Sequence, residues 1–156
     1  MDLKNKPKEL WELNPYGKVP VLVDGNVVVY ESAVINEYLD EKSPQLPLMP
    51  KDLGQRSRAR IWVDFCNSRL QAAGSDVVHG SDPEKARGKL REHLKTLDRE
   101  MKGRTYIAGD YSLADITYIP FFTRQQRYGV SIDESLPNLK QWIDRLLARL
   151  AVRSTL

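Results

Sequence analysis

The spacing of hydrophobic residues changes near residue 50 of this chain. Before that point, two short β-branched runs at 19–23 and 26–30 flank an Asp-Gly pair, which suits a tight hairpin turn. A helical pattern then begins at Glu31 and continues to about Lys42, and Lys8 to Leu13 has room for one or two helical turns. The first part therefore predicts a β-hairpin followed by a helix.

From residue 53 to residue 150, apolar residues recur at helical spacing. The clearest series steps by four, three and four, at Leu90, Leu94, Leu97 and Met101. Two further stretches with the same spacing are Ile61, Trp62, Phe65, Cys66 and Leu70, and Leu139, Trp142, Ile143, Leu146, Leu147 and Leu150. This part predicts a bundle of helices.

Three prolines between residues 44 and 50 separate the two patterns and favour a linker. We therefore expect a mixed α/β domain over 1–43, a linker over 44–52 and an all-α domain over 53–156. The predicted fold class is α+β tending to mostly α.

Composition narrows the class of protein. Apolar residues make up 41% and charged residues 29%, which is ordinary for a globular chain. The excess of 24 Lys and Arg over 21 Asp and Glu is small and forms no basic tract, so we expect no nucleic-acid partner. No apolar run has the length of a membrane span or the form of a signal peptide, which favours a cytoplasmic protein. Because Cys66 is the only cysteine, intrachain disulfides and cysteine zinc sites are excluded, and we expect no metal.

A helix start is encoded at Ser112, with Asp115 three residues later in a variant of the capping box. Pro120 lies inside the predicted helix and should bend it or limit its first part. We assign Ser112 and Asp115 to structure.

Two segments carry a family resemblance. The first reads NPYGKVPVLVD over Asn14 to Asp24 and is followed by Glu31-Ser32; the second reads YIAGDYSLADI over Tyr106 to Ile116. Their order and separation resemble cytosolic glutathione S-transferases over nearly the whole chain. The resemblance implies part of a thioredoxin-like domain, made of a hairpin and a helix, followed by the all-α C-terminal domain of that family.

The resemblance also implies roles for particular residues. Pro20 matches a cis-proline, and the Val19 backbone would pair with the cysteinyl residue of glutathione. Glu31 and Ser32 match the pair that holds the γ-glutamyl end, and Lys18 matches a position that reaches the glycyl carboxylate. The residues alone also allow a plain edge strand at Val19-Pro20 and a simple helix cap at Glu31-Ser32.

The family's first strand–helix–strand unit needs roughly 30 residues or more. Only about a dozen residues precede the Asn-Pro-Tyr-Gly turn, so we expect that unit to be lacking. The resemblance places the thiol-activating residue in that unit, and neither Tyr16 nor Ser43 matches it, so no catalytic residue is assigned. We expect an unpaired apolar strand edge at 19–23 as a result.

The resemblance implies an enzyme of detoxification, a homodimer in which glutathione thiolate attacks a small apolar electrophile. The electrophile pocket would draw on 61–70 and 113–128. Two alternatives stay open: a non-catalytic protein-binding module like the stringent starvation protein, and a glutathione-dependent isomerase or dehalogenase.

Other conspicuous residues are expected to have structural roles. We predict surface positions for His79 and His93, and a packed apolar role for Cys66. The last helix is expected to continue past Leu150, because that residue replaces a proline common in relatives.

Overall fold

A β-hairpin and two helices form the first part of the described chain, which covers residues 5–155 of a computed structural model. Helix α1 spans Lys8–Leu13, strand β1 Val21–Asp24, strand β2 Val27–Tyr30 and helix α2 Ser32–Lys42. These elements belong to a compact unit that ends at Pro47, and a second unit begins at Leu48. The predicted hairpin and helix are confirmed.

The hairpin differs in detail from its prediction. The strands are antiparallel, with Val21 opposite Tyr30 and Asp24 opposite Val27. Asp24 is therefore a strand residue, and the turn consists of Gly25 and Asn26, where Gly25 adopts a φ of 59°. β1 begins at Val21 instead of residue 19, directly after a proline that has no N–H to give to a ladder. Among residues 5–155, β2 is the only strand that pairs with β1.

Helix α2 is tied to the hairpin by one carboxylate. The Tyr38 hydroxyl donates to Asp24 Oδ2 over 2.7 Å, and the Lys42 ammonium pairs with the same oxygen. The hydrogen bonds from Lys42 and Tyr38 lower the pKa of Asp24. The side chains are fourteen and eighteen residues from Asp24, so the contact sets how the helix lies on the strand.

The regular elements of the second unit are all helices among the described residues, and its loops contain one isolated β-bridge, between Tyr106 and Gly109. Its α-helices are α3 (Leu53–Asp64), α4 (Ala72–His79), α5 (Pro83–Met101), α6 (Leu113–Phe122), α7 (Pro137–Leu147) and α8 (Leu150–Arg153). A π-helical segment, called the π turn (Phe65–Gln71), follows α3, and a 3₁₀ turn (Gln125–Tyr128) follows α6. None of the helices between residues 5 and 155 has the length and apolar character that a membrane crossing needs.

The core of this unit follows the predicted periodicity. Leu90, Leu94, Leu97 and Met101 of α5 are all buried, as are Leu139, Trp142, Ile143 and Leu146 of α7. The Tyr118 ring of α6 packs edge-on against Trp142, with 5.0 Å between centroids. The regular stepping of apolar residues thus identified the faces that meet.

Two apolar residues that the sequence pattern assigned to buried helix faces are exposed, so those two assignments were wrong. Ile61 is 64% exposed and Leu150 is 82% exposed. In α3 the buried side carries Ala59 and continues to Cys66, both 0% exposed. Ile61 is two residues from Ala59, about 200° around the helix, and so faces away from the core.

The last long helix also ends earlier than predicted. α7 stops at Leu147, and Arg149 has an extended backbone (φ −65°, ψ 133°) before the separate short helix α8. The Arg149 guanidinium lies 3.5 Å from the centroid of the Tyr111 ring. It also donates to the Tyr106 hydroxyl over 3.4 Å. These contacts accompany the break between α7 and α8. The prediction that the helix would continue because Leu150 is not a proline was therefore wrong.

The capping box at Ser112 is confirmed, and its aspartate also bonds to residues outside the start of α6. Asp115 is fully buried and accepts hydrogen bonds from the Ser112 N–H at 3.0 Å and the Ile107 N–H at 3.1 Å. It also accepts from Trp142 Nε1 at 2.8 Å. Burial raises the pKa of this carboxyl, and the hydrogen bonds from Ile107, Trp142 and Ser112 act against that rise. One side chain therefore joins α6, the preceding loop and α7.

Helix α3 and the π turn that follows it are each held to α6 by one polar contact. The Tyr118 hydroxyl donates to the Trp62 carbonyl over 2.9 Å, and Cys66 Sγ donates to the Thr117 carbonyl over 3.6 Å. Cys66 is fully buried, which confirms its packed role, and burial raises the pKa of its thiol to about 12. His93 is half-buried against Phe65, so its prediction as a surface residue was wrong, whereas His79 is exposed.

Tyr118→Phe is expected to lower the free energy of unfolding by about 1–2 kcal/mol, since the hydrogen bond from the Tyr118 hydroxyl to the Trp62 carbonyl is lost while the ring remains. Urea unfolding followed by circular dichroism measures this. Tyr16→Phe is the matched control, because Tyr16 is 59% exposed and should change stability by less than about 0.5 kcal/mol. Equal losses in the two variants would refute the role given to the Tyr118 hydroxyl.

Candidate functional site

The open end of the hairpin brings the predicted site residues together. Because Val21 lies opposite Tyr30, the residues before Val21 and those after Tyr30 emerge at the same end. Val19 and Pro20 therefore lie beside Glu31 and Ser32, although a dozen residues separate the two pairs along the chain.

The strand side of this end offers free backbone groups. The Val19–Pro20 peptide bond is cis, as the family resemblance implies. Within residues 5–155, the Val19 N–H and C=O have no hydrogen-bond partner, and the Val19 side chain is 47% exposed. An unpaired donor and acceptor at a strand end can take an extended peptide as an added strand.

The loop that leads to Val19 is fixed by Asn14, which the sequence analysis treated only as part of a turn. Asn14 is 1% exposed; its Nδ2 donates to the Lys18 carbonyl over 2.8 Å, and its Oδ1 accepts from the Tyr16 N–H at 2.9 Å. An Asn that bonds to the backbone two residues later is a known turn device, and this signal was present in the sequence. Asn14 thereby sets the direction in which the chain approaches Val19.

Close packing at Gly17 holds the same loop. Gly17 has a φ of 56°, and a Cβ placed there would lie 2.6 Å from the Trp11 ring. Only glycine adopts this backbone conformation without strain and also leaves room for the Trp11 ring.

The helix side of the site contains a strained residue. Glu31 has a φ of 68° and a ψ of 115°, outside the regions that side chains normally adopt. Its carbonyl still accepts from the Ile35 N–H at 2.9 Å and so begins α2. Conformations of this kind cost about 1–3 kcal/mol and concentrate at binding sites.

Among the described residues, no side chain caps the start of α2. No side chain accepts from the first-turn amides, and neither the Glu31 carboxylate nor the Ser32 hydroxyl has a hydrogen-bond partner in the part of the chain that the structure describes. The alternative that this pair is a simple helix cap is therefore unsupported. The free amides carry partial positive charge and can receive a carboxylate.

Lys18 is exposed, and its side chain forms no ion pair within the described range. The site as a whole thus offers an extended backbone segment, a free carboxylate, a hydroxyl and a helix N-terminus. This set of groups suits a small peptide that carries both an ammonium and a carboxylate. A search of the same residues for three or more His, Cys, Asp or Glu grouped as metal ligands found none.

Family models match both parts of the chain. Residues 1–42 match the model of the glutathione S-transferase N-terminal domain, and residues 65–149 match the model of the C-terminal domain.

Known proteins resemble the chain over nearly its full length. Glutathione S-transferase U19 of Arabidopsis thaliana is 34% identical over 164 residues, which cover 99% of this chain and 75% of that protein. The bacterial glutathione S-transferase BphK, solved as a ternary complex, superposes with a TM-score of 0.87 at 25% identity and covers 99% of this chain and 82% of its own. Ure2p in complex with glutathione has the same TM-score at 21% identity, covering 97% and 80%, and shows the shared fold.

These matches confirm the predicted fold class, a partial thioredoxin-like domain followed by the all-helical C-terminal domain. The match to the C-terminal model alone covers more than half of the chain, and the similarity to the Arabidopsis protein extends through the N-terminal motif. The chain belongs to the glutathione S-transferase family.

Proposed function

We propose that the open end of the hairpin binds glutathione. The γ-glutamyl carboxylate lies at the uncapped start of α2, where it accepts from the Ser32 hydroxyl and the first-turn amides. The Glu31 carboxylate pairs with the α-ammonium, and the Val19 backbone pairs with the cysteinyl residue, with Pro20 shaping the strand. Lys18 reaches the glycyl carboxylate. The observation that supports this most is the free start of α2 beside the unpaired Val19 backbone.

The proposed reaction is conjugation of glutathione to a small, mostly apolar electrophile. The thiolate forms a carbon–sulfur bond while the leaving group departs with the electron pair of the bond that breaks. The five residues above bind glutathione, and none of them is assigned to thiol activation. A cytoplasmic homodimer is part of the same proposal.

The relatives favour this function over its alternatives. Curated relatives that are 32–34% identical to this chain are named glutathione S-transferases or probable glutathione S-transferases. Neither a protein-binding module nor an isomerase or dehalogenase gains support from them.

Ser32→Ala is expected to weaken glutathione binding at least about tenfold, since a hydrogen bond to a charged group contributes about 1.5–3 kcal/mol. Isothermal titration calorimetry measures the affinity directly, without requiring turnover. The matched control is Ser43→Ala, which removes an exposed hydroxyl at the opposite end of α2 and should bind like the wild type.

Two results would contradict the proposal: no heat of binding from the wild-type chain, or equal affinities in the two serine variants. Turnover is tested separately with 1-chloro-2,4-dinitrobenzene, in which thiolate displaces chloride. A chain that binds glutathione but yields no conjugate would support the binding site and refute conjugation by this chain.

A further inference from the structure

A small cavity lies within the helical unit, between α5 and the loop 129–136 that joins the 3₁₀ turn to α7. Its volume is about 190 Å³. Pockets for drug-sized ligands occupy about 300–1,000 Å³, so this cavity admits only a smaller molecule. The lining residues are Arg91, Leu94 and Lys95 of α5, and Gly129, Val130, Ser131, Asp133, Ser135 and Leu136 of the loop. None of them belongs to 61–70 or 113–128, so the cavity is separate from the predicted electrophile pocket.

The two walls of the cavity carry opposite charges that do not meet. Arg91 and Lys95 are four residues apart and so lie on one face of α5, whereas Asp133 belongs to the facing loop. Within residues 5–155, Asp133 forms no ion pair with either of them, so its carboxylate oxygens lie more than 4 Å from both cationic groups. The Arg91 guanidinium has no bonding partner in that range, while Lys95 pairs with Glu92 at 2.9 Å. Unlike charges that face one cavity without contact leave space for a ligand between them.

The loop holds the Asp133 carboxylate in place. Its Oδ1 accepts from the Ser135 N–H at 2.9 Å, and its Oδ2 accepts from the Ser131 hydroxyl at 3.2 Å. The Asp133 carbonyl also accepts from the Leu136 N–H at 3.0 Å. The hydrogen bonds from Ser135 and Ser131 lower the pKa of Asp133, so the carboxylate is charged at neutral pH. Because a carboxylate has about four acceptor positions, it can still accept from an ammonium group.

The base of the cavity is aliphatic. Leu94 is 1% exposed, Val130 is 8% exposed, and Leu136 packs partly buried against the same core. None of the lining residues is aromatic, so the cavity has no ring on which a flat ligand would stack. Its base therefore suits a branched aliphatic group.

We propose that this cavity binds a free α-amino acid with a branched aliphatic side chain. Arg91 and Lys95 receive the α-carboxylate, because the guanidinium N–H pair matches its two oxygens. Asp133 accepts from the α-ammonium, and the three aliphatic residues at the base contact the side chain of the ligand. A zwitterion satisfies both walls at once, which a simple acid or a simple amine does not. The proposal concerns the helical unit alone and does not depend on glutathione.

The test is calorimetric titration of the full chain, without glutathione, using L-leucine, 4-methylpentanoate and 3-methylbutylamine. The second compound is leucine without its ammonium, and the third is leucine without its carboxylate. L-leucine is expected to bind at least about tenfold more tightly than either, since each analogue loses hydrogen bonds between charged groups.

Single substitutions on the two walls should remove different parts of this preference. Arg91→Gln should weaken leucine binding at least about tenfold and leave the affinity for 3-methylbutylamine unchanged, because that compound has no carboxylate. Asp133→Asn should weaken leucine binding by a similar factor without weakening that of 4-methylpentanoate, which has no ammonium. A general collapse of the cavity would instead weaken all three ligands together.

The matched controls are Arg99→Gln on α5 and Glu134→Gln beside Asp133, both at exposed positions outside the cavity. Each should bind leucine like the wild type, and circular dichroism of all four variants establishes that the fold is retained. The three titrations of the wild-type chain test the proposal even where a variant does not fold.

Four results would overturn the proposal: no heat from leucine at millimolar concentration, either analogue binding as tightly as leucine, cavity variants that bind leucine like their controls, or equal losses for all three ligands in a cavity variant. Loss of glutathione binding in Ser32→Ala bears on the hairpin site only, so the two proposals fail independently.

Discussion

Asp115→Ala is expected to lower the free energy of unfolding of the helical unit by about 3–5 kcal/mol. The carboxylate is fully buried and accepts from the backbone N–H groups of Ile107 and Ser112 and from Trp142 Nε1. Alanine would leave these three donors, and the Ser112 hydroxyl that also donates to the carboxylate, buried without that acceptor. Each buried donor without an acceptor destabilises the fold. The loss should exceed that of any single hydrogen bond elsewhere in this unit.

Urea unfolding followed by tryptophan fluorescence measures this loss. Asp110→Ala is the matched control, since Asp110 is exposed in the same loop and should shift stability by less than about 0.5 kcal/mol. If Asp115→Ala does not fold, Asp115→Asn, which keeps one acceptor oxygen, should fold with a smaller loss. An Asp115→Ala variant as stable as the Asp110 control would contradict the buried network.

Asn14→Ala is expected to destabilise the hairpin unit by about 2–4 kcal/mol and to weaken glutathione binding with it. The variant leaves the Lys18 carbonyl and the Tyr16 N–H without their side-chain partners in a loop that is otherwise closely packed. The backbone approaching Val19 then loses its fixed direction, so a ligand must order it on binding. Hydrogen exchange of the amides between residues 16 and 24 reports the local stability, and calorimetry reports glutathione affinity.

Asn26→Ala controls for the loss of an amide side chain, because Asn26 is exposed in the hairpin turn. Its exchange rates outside the turn and its glutathione affinity should match the wild type. Faster exchange at residues 16–24 in Asn14→Ala, with unchanged affinity, would show that the loop is structural and does not position the site. Unchanged exchange would refute the role of Asn14 altogether.

Local patterns in the sequence were sufficient for most elements. The steps of three and four in α5 and α7 predicted the buried faces, because a periodic apolar stripe has only one side on which to pack. The serine and aspartate of the capping box predicted the start of α6 for an equally local reason. The same reasoning failed at Ile61 and Leu150, whose exposure depends on which neighbouring helices are present and where α7 ends.

Contacts between residues that are distant in sequence could not be predicted from those local patterns. Nothing local to Asp115 indicated its bond to Trp142, 27 residues away. Likewise, the ring contact of His93 with Phe65 arises from the packing of α5 against the π turn. Such contacts form only after several elements have assembled, so a sequence window does not contain them.

At the hairpin site, the sequence by itself determined which residue types are present: a proline after Val19, an acidic residue and a hydroxyl at a helix start. Only the tertiary structure decided how they combine. The strand register places the Val19 and Glu31 pairs at one end, Glu31 adopts a strained backbone, and no side chain of residues 5–155 caps α2. Register and capping depend on the paths of two chain segments at once, which is why residue identity alone could not settle them.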